Sequence, residues 1–372
     1  MGEFENSQAA EVDASLDLPF KKPQLRLGRG LFYILTIIAL LLIYWKFSEI
    51  EHLRALFSSA GRGWLIVVVS SQLLAYYFTA LNYREVLRMK GLTVHHRELF
   101  PITFIIQFIT QAVPTAGLAG QVFFIYYLRK YKLTFAEGMA RAVLEVLTLY
   151  LAFSCMFVLA VLLLFQVGIL EKFPLIWIFI YAFIFFFLLV LAVFIAVQKR
   201  HRISWFHWIV DRLYGYFRQS SLPKIKKIGF FSRRSAYVEK IMTEMRDSVD
   251  LDFLAEHKKT FFLATFWQAM VLLANASTLF YIGYAIRVPL PFTVAFVVFI
   301  LSKLISMTSF IPGSFGIFEA GMVAVLYTFG VETGSALAIT ILFRALTFWL
   351  PMPIGWFLYG RYMGKLDSDE II

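Results

Sequence analysis

The stretch that decides the fold is Phe310-Ile311-Pro312-Gly313-Ser314-Phe315-Gly316-Ile317-Phe318-Glu319, a Pro/Gly interruption inside a long apolar run. A weaker copy stands upstream at Val113-Pro114-Thr115-Ala116-Gly117-Leu118-Ala119-Gly120-Gln121. In a bilayer, a broken helix leaves backbone N–H and C=O groups unpaired, so it persists only where protein or a water-filled cavity can satisfy them. Two such breaks, one in each half of the chain, predict a site between them.

Composition places the chain among membrane proteins. It is 60% hydrophobic and 16% charged, with a mean hydropathy of +0.73, which leaves too little polar surface for a soluble globule of 372 residues. The net charge of +11 does not indicate nucleic-acid binding, because Lys and Arg punctuate apolar segments and form no basic face on a soluble domain. The single cysteine, Cys155, excludes an internal disulfide and a cysteine-based metal site.

The apolar segments predict an all-α polytopic membrane protein. Two are too short to cross about 30 Å as single helices, and with Pro114 near their junction they predict a hairpin that re-enters the membrane. These two are Phe100–Val113 and Thr115–Leu128, and a second hairpin is predicted around Pro312, over Pro291–Phe329. The candidate full spans are Leu31–Phe47, Trp64–Leu81, Phe135–Phe165, Pro174–Val197, Thr260–Ile286 and Gly334–Tyr359.

Five regions follow from this pattern. They are a disordered arm at 1–30, a first membrane half at 31–197, a basic amphipathic insert at 198–259, a second membrane half at 260–360 and a tail at 361–372. Most Lys and Arg in the loops lie on the side that carries both termini and the insert. By the positive-inside rule, we expect both termini and the insert in the cytoplasm, with the chain in the cytoplasmic (inner) membrane.

The two breaks belong to an internal repeat. Pro114 to Thr148 and Pro312 to Thr347 each contain a Pro/Gly break, a short apolar helix, a turn and a long helix. Glu145 precedes Leu147-Thr148 as Arg344 precedes Leu346-Thr347, so opposite charges occupy matching places. One full span and the insert separate the copies, which predicts an inverted repeat. Inverted repeats supply two related packings, one open to each side, as alternating access requires. A duplicated scaffold without transport is the alternative.

Charged residues inside the spans are the candidate site. A buried cation or carboxylate costs about 3 kcal/mol at the bilayer centre, so these side chains are not expected to face lipid. Arg141 and Glu145 are four residues apart and can pair with each other, a structural role weighed evenly against a binding one. The predicted substrate-binding residues are Arg141, Glu145, Lys303, Glu319, Arg344, Gln111 and Gln121; the hairpin tips are Pro114, Gly117, Gly120, Pro312, Gly313 and Gly316. For the two glutamines, hydrogen bonding between helices is the alternative.

The start of the helix after each break indicates the charge of the ligand. We expect these restarts near Ala116 and Ser314, with Glu319 two turns beyond Pro312 on one face. Free N–H groups at a helix start carry partial positive charge, so with Arg141, Arg344 and Lys303 nearby, a phosphate-bearing ligand fits better than a metal cation.

Two C-terminal motifs resemble a known family. They are Pro312-Gly313-Ser314-Phe315-Gly316-Ile317-Phe318-Glu319-Ala320 and Leu342-Phe343-Arg344-Ala345-Leu346-Thr347-Phe348-Trp349-Leu350-Pro351. They resemble the membrane region of the lysylphosphatidylglycerol synthase family, a flippase-like domain, over about residues 30–360, with Gly117, Gly120 and Glu145 matching its upstream pattern. The resemblance implies movement of an anionic phospholipid, such as aminoacylated phosphatidylglycerol, or of a polyprenyl-phosphate lipid between leaflets. The family's soluble transferase domain is missing here, so lysine transfer is not expected.

Three functions therefore stay open. The leading one is a lipid flippase whose partners are membrane lipids with anionic headgroups; Glu145 and Glu319 would balance the cations or carry a coupling proton. The others are an ion-coupled transporter of a small soluble anion and a non-transporting accessory protein. We expect no enzyme, no catalytic residue, no cofactor and no metal site, because the histidines fall in loops or the insert: His52, His95, His96, His201, His207 and His257. Small residues on spanning faces permit a homodimer.

Overall fold

The computed structural model describes residues 62–113, 118–131, 133, 135–166, 179–181, 183–184, 187–188, 251–288, 290–307 and 312–369. Within these ranges the regular structure is helical and contains no strand, so the predicted all-α polytopic class is confirmed. The helices are α1 (Arg62–Met89), α2 (His96–Ala112), α3 (Leu118–Leu128), α4 (Phe135–Gln166), α5 (Leu251–Glu256), α6 (Lys258–Ala285), α7 (Phe292–Met307), α8 (Ile317–Thr328), α9 (Thr333–Arg344) and α10 (Pro351–Asp369).

Four helical segments of the described chain are long and apolar enough to cross a membrane: Gly63–Met89, Glu137–Gln166, Lys258–Ala285 and Thr333–Tyr362. Each matches a predicted span. The last one joins α9 to α10 through a π-helical turn, Ala345–Trp349. The predicted spans Leu31–Phe47 and Pro174–Val197 fall outside the described residues wholly or in large part, as does most of the insert 198–259.

Two pairs of short helices occupy the places predicted for the hairpins. α2 and α3 have 17 and 11 residues, and α7 and α8 have 16 and 12. At 1.5 Å per residue, even the longest is only about 26 Å, shorter than the apolar core of a bilayer. Both interruptions are therefore real features of the fold, while the inversion of one unit relative to the other stays a prediction.

The helix after the second break begins later than the sequence predicts. α8 starts at Ile317 and not at Ser314. Gly313, Ser314 and Gly316 have φ angles of 56°, 53° and 81°, left-handed values that a right-handed helix cannot contain. Pro312–Ser314 forms a separate tight turn instead, with Gly313 and Ser314 in left-handed conformations. Glu319 is therefore the third residue of α8, within its first turn, and does not lie two turns along a longer helix.

α1 and α6 form the central antiparallel pair. The Ser71 hydroxyl donates to the Ala274 carbonyl at 3.0 Å, and the Asn82 amide donates to the Ala264 carbonyl at 2.9 Å. Residue numbers rise along one helix as they fall along the other, which defines the antiparallel arrangement. In an apolar environment such short polar side chains hold helices together, because an unpaired polar group there is costly.

One apolar core joins α4 of the first half to α6, α7, α8 and α9 of the second. Phe153, Phe296 and Phe343 are fully buried in it. Apolar side chains such as Leu162 and Phe357 face outward, as expected of surfaces that contact lipid.

α10 packs closely against α2 at a glycine. A Cβ added at Gly355 would lie 2.3 Å from the Phe104 carbonyl oxygen and 2.5 Å from the Phe108 Cβ. Only a residue without a side chain allows this approach of two backbones, a common device in membrane helix packing.

Gly355→Ala is expected to lower the stability of the purified protein by about 1–3 kcal/mol, because the α2 backbone must move to admit the methyl group. Gly360→Ala on the same helix is the matched control, since a Cβ there meets nothing within 4 Å. Thermal unfolding in one detergent measures both. Equal unfolding temperatures for the two variants would contradict the close packing.

Candidate functional site

The second break is tied to the end of α7 by two serines. The Ser306 hydroxyl donates to the Ser314 hydroxyl, which in turn donates to the Ser306 carbonyl, both at 2.8 Å. Ser306 lies in the last turn of α7, where helical carbonyls have no intrahelical partner. Ser314, with its left-handed backbone, is thus held where its hydroxyl donates to one of these unpaired carbonyls.

An ion pair closes the same break from the other side. Arg344 donates from Nε to Glu319 Oε1 at 2.5 Å and from Nη2 to the Gly313 carbonyl at 2.9 Å. Glu319 Oε2 accepts from the Gly316 backbone N–H at 2.7 Å. The Arg344 guanidinium also lies over two rings, 5.1 Å from the Phe318 centroid and 4.3 Å from that of Phe348. The two charges therefore supply the donor and the acceptor that the broken backbone lacks.

This contact changes the prediction of a free anion-binding helix start. The Gly316 N–H group at the start of α8 is already occupied by the Glu319 carboxylate. Glu319 therefore holds the position, against Arg344 and the helix start, that a phosphate was expected to take.

The π-helical turn presents Arg344 to the break. The Leu350 N–H donates to the Ala345 carbonyl at 2.8 Å, five residues back, and Pro351 has no N–H to donate to Thr347. The carbonyls of Leu346 and Thr347 are taken by other helices. The Tyr76 hydroxyl of α1 donates to Leu346 at 3.4 Å, and the Gln111 amide at the end of α2 donates to Thr347 at 3.2 Å.

These contacts define the depth of the site. Tyr76 lies at the middle of α1, with fourteen residues of that helix before it and thirteen after it. Because Tyr76 contacts Leu346, two residues after Arg344, the ion pair lies about halfway along a spanning helix. α2 also contacts the Pro312–Ser314 turn directly. The end of the helix before the first break and the second break therefore meet near mid-depth.

Glu145 and Lys303 extend the charged cluster into the first half. The Gln121 amide of α3 donates to Glu145 Oε2 at 2.6 Å, and Glu145 is buried. Lys303 of α7 lies within electrostatic range of both Glu145 and Arg344, while no described carboxylate comes within 4 Å of its ammonium group. A carboxylate from the first membrane half and cations from the second therefore share one low-dielectric region.

Arg141 does not join this cluster. Its guanidinium donates to the carbonyls of Glu137 at 2.9 Å and Lys90 at 3.2 Å, next to the end of α1. The suggested pairing with Glu145 is wrong, since that carboxylate faces Gln121 and no ion pair joins the two residues in the described chain. The long Arg141 side chain instead reaches the Glu137 carbonyl, one turn back on its own helix, and the Lys90 carbonyl just past the end of α1.

The first break is described only in part. Pro114 and Gly117 lie outside the described residues. A Cβ at Gly120 would lie 2.0 Å from Thr110 Oγ1, so α2 and α3 approach each other as the hairpin requires. Gln111 and Gln121 both join separate helices by hydrogen bonds, so the helix-bonding alternative describes their contacts in this conformation.

The sequence analysis did not predict one buried carboxylate, that of Glu85. Glu85 is fully buried and accepts from Arg84 at 3.0 and 2.6 Å, with Arg88 at 3.8 Å. An acid set between arginines at the end of a long apolar helix is the signal that could have found it. As for metals, the described residues contain no group of three His, Cys, Asp or Glu side chains that could hold an ion.

The helices, the two interrupted pairs and the charges between them define a multi-pass α-helical membrane protein with a polar centre. The chain belongs to the family described as the lysylphosphatidylglycerol synthase TM region, which it matches over residues 31–355. It is also 22% identical to a UPF0104 membrane protein of Pyrococcus horikoshii over 349 residues, 91% of this chain and 99% of that protein. No solved structure matches the chain.

Substitutions at Gly313 and Gly316 allow the cost of backbone strain to be measured apart from the cost of a steric clash. Gly316→Ala is expected to cost about 1–2 kcal/mol through backbone strain alone, because a Cβ there meets nothing within 4 Å. Gly313→Ala adds a steric effect of about 1–3 kcal/mol, since its Cβ would lie 2.2 Å from Phe348. Thermal unfolding of both variants measures the difference. If Gly316→Ala were the less stable, the described turn would be incorrect.

Removing one partner of the central ion pair is expected to cost about 3–5 kcal/mol, because the other charge stays buried. The double variant Glu319→Gln/Arg344→Gln should cost clearly less than the sum of the single variants. The control is the exposed pair of Lys130 and Glu98, at 3.4 Å with both side chains about half exposed, where less than about 1 kcal/mol is expected. A double-mutant cycle on unfolding free energies tests this. Additive losses at the central pair would show that the two charges act independently.

Proposed function

We propose that this protein moves an anionic phospholipid or a polyprenyl-phosphate-type lipid between the leaflets of the cytoplasmic membrane, with both termini in the cytoplasm. It would do so without covalent chemistry. The support is a family described by a lipid-synthase membrane region together with a charged cluster near mid-depth. The reaction is a translocation in which the headgroup crosses the apolar core while the acyl chains stay in lipid.

One observation carries the proposal: Arg344 is already bound to an internal anion. Arg344 is 8% exposed, and its guanidinium holds the Glu319 carboxylate and the Gly313 carbonyl at the break. A guanidinium binds a carboxylate and a phosphate with the same two-pronged geometry. Glu319 is therefore a carboxylate that a lipid phosphate can replace.

The exchange gives a mechanism. When a headgroup phosphate takes the place of Glu319 on Arg344, the Gly316 N–H loses its side-chain partner and becomes available to the same phosphate. The released Glu319 would then take up a proton or turn toward water. Once the lipid leaves, Glu319 returns and closes the break. The internal carboxylate keeps Arg344 paired whenever no lipid is bound, which avoids an isolated charge in the membrane.

Lys303 links the charge of Arg344 to that of Glu145 on a different helix. Lys303 lies within electrostatic range of Arg344 on one side and Glu145 on the other. A phosphate near Lys303 would weaken the attraction between Lys303 and Glu145, and so between α7 and α4, which carry them. Headgroup binding would thereby be coupled to the relative position of α7 and α4, as alternating access requires.

A reconstitution assay tests the function. Vesicles containing the protein and fluorescent phosphatidylglycerol are bleached from outside, and the bleached fraction reports lipid movement. Arg344→Gln is expected to slow movement about 10- to 100-fold, because it removes a charged hydrogen bond to the headgroup. Arg361→Gln is the control, since it removes an exposed arginine on α10 and leaves the central cluster intact.

Glu319→Gln tests the internal carboxylate separately. With no competing anion, phosphatidylglycerol should be retained more strongly by the purified protein while its movement becomes slower. Wild-type movement in Arg344→Gln, or no movement of any anionic lipid by the wild type, would refute the proposal. Uptake of a soluble anion into sealed vesicles without lipid movement would favour the small-anion alternative.

A further inference from the structure

A third interruption of a helix lies beside the two breaks. It is the π-helical turn Ala345–Trp349 between α9 and α10, where the carbonyls of Leu346 and Thr347 bond to other helices. Tyr76 of α1 donates to the first carbonyl and Gln111 of α2 donates to the second. A carbonyl oxygen has two lone pairs, so each can contact a further ligand.

Two amide oxygens of the side chains around this turn have no partner. Gln72 Oε1 and Gln111 Oε1 are buried, and no described group donates a hydrogen bond to either. Gln72 is 4% exposed and Gln111 is 7% exposed. The Gln111 amide nitrogen donates to Thr347, and the Gln72 side chain is hydrogen-bonded to Tyr76, one turn later on the same face of α1. Buried polar atoms are almost always paired, so two unpaired oxygens around one turn indicate a ligand.

The oxygen atoms at this turn have the spacing of ligands around one ion. Tyr76 Oη lies 3.4 Å from the Leu346 carbonyl oxygen, which exceeds the ordinary O–H···O range of about 2.5–3.0 Å. Na⁺ is nearly the size of Ca²⁺, whose oxygen ligands lie at about 2.3–2.6 Å. Two such ligands at right angles are about 3.3–3.7 Å apart. The observed separation therefore fits two oxygens that share a cation.

The charge of the surroundings favours a cation. α2 ends at Ala112, and the end of a helix carries partial negative charge. Unwound backbone carbonyls and helix C-terminal ends are the groups that bind Na⁺ within discontinuous membrane helices. Arg344, two residues before Leu346, does not oppose the ion as an isolated charge, because Glu319 is paired with it.

The ligand set indicates a monovalent ion. Ca²⁺ and Mg²⁺ are bound largely through carboxylates, whereas the carboxylate at the neighbouring break, Glu319, is already held by Arg344 and the Gly316 N–H. Neutral oxygens are sufficient for alkali cations. The expectation of no metal site was drawn from the positions of the histidines, which such cations do not need.

We propose that Na⁺ binds at the π-helical turn. Its ligands are Gln72 Oε1, Gln111 Oε1 and the carbonyls of Leu346 and Thr347, with the Tyr76 hydroxyl as a further oxygen. A water molecule is the other candidate occupant, since it can donate to both amide oxygens. Water bound there would not make the stability of the protein depend on which cation the buffer contains.

The ion also has a use in lipid movement, and this use alone rests on the proposed function. The helix that contacts the ion carries Arg344 two residues earlier, so cation occupancy acts on the residue that would bind the headgroup. A Na⁺ gradient would then supply a driving force for translocation.

Thermal unfolding of the purified full chain in one detergent tests the site. Choline chloride is replaced by NaCl at equal ionic strength, which leaves screening unchanged. At a Na⁺ concentration about ten times its dissociation constant, the unfolding temperature should rise by about 2–4 °C, because the ion binds the folded state. Equilibrium binding of radioactive Na⁺ should be saturable. MgCl₂ at matched ionic strength should give no comparable rise.

Two ligand variants test the residues. Gln72→Met keeps the side-chain size and removes an oxygen that has no hydrogen-bond partner, so its unfolding temperature in choline chloride should stay close to that of the wild type. Its affinity for Na⁺ should fall about tenfold or more, and the rise in NaCl should disappear. Gln111→Met should lose the same response from a different helix. Asn275→Leu is the control, since that amide donates to the Val271 carbonyl of its own helix, α6.

Two outcomes would overturn the inference. Equal unfolding temperatures of the wild type in NaCl and choline chloride, without saturable Na⁺ binding, would show that the site holds water only. A response to NaCl that survives in both Gln72→Met and Gln111→Met would place the ion elsewhere in the protein. Neither measurement involves lipid, so a failed translocation assay would leave both results unaffected.

Discussion

The structure depends on one constraint: backbone groups freed by a broken helix must find partners inside an apolar medium. At the second break the partners are charged side chains. Arg344 donates to the Gly313 carbonyl and Glu319 accepts from the Gly316 N–H, while the two charges also pair with each other. One ion pair thereby satisfies two backbone groups. This ties the loop conformation to the charge state of the site, so whatever replaces Glu319 on Arg344 also acts on the break.

The same constraint explains the junction between α9 and α10. Pro351 and the π-helical turn remove two intrahelical hydrogen bonds, and the freed carbonyls of Leu346 and Thr347 are taken by Tyr76 and Gln111. These contacts join α1 and the end of α2 to the helix that carries Arg344. The helix that carries Arg344 is consequently held by hydrogen bonds from two other parts of the chain that lie far from it in sequence.

A buried ion pair contributes little to stability on balance, because taking two charges out of water costs about as much as their attraction returns. A purely structural closure of the break could have used neutral side chains. Two carboxylates and two cations at mid-depth instead give a set of charges that can exchange partners, with Gln121 and the Gly313 carbonyl as neutral contacts. Such a set suits a site whose ligand carries its own charge.

The sequence by itself determined the class, most span positions, both interruptions and the burial of Glu145 and Arg344, because each follows from local hydrophobicity and the cost of charge in lipid. It could not determine their partners. Arg141 bonds to carbonyls near the end of α1 and not to Glu145, Glu85 is buried beside Arg84, and α8 begins at Ile317. Only the tertiary structure decided these points, since they depend on which helices meet and on left-handed φ angles that a residue pattern does not specify.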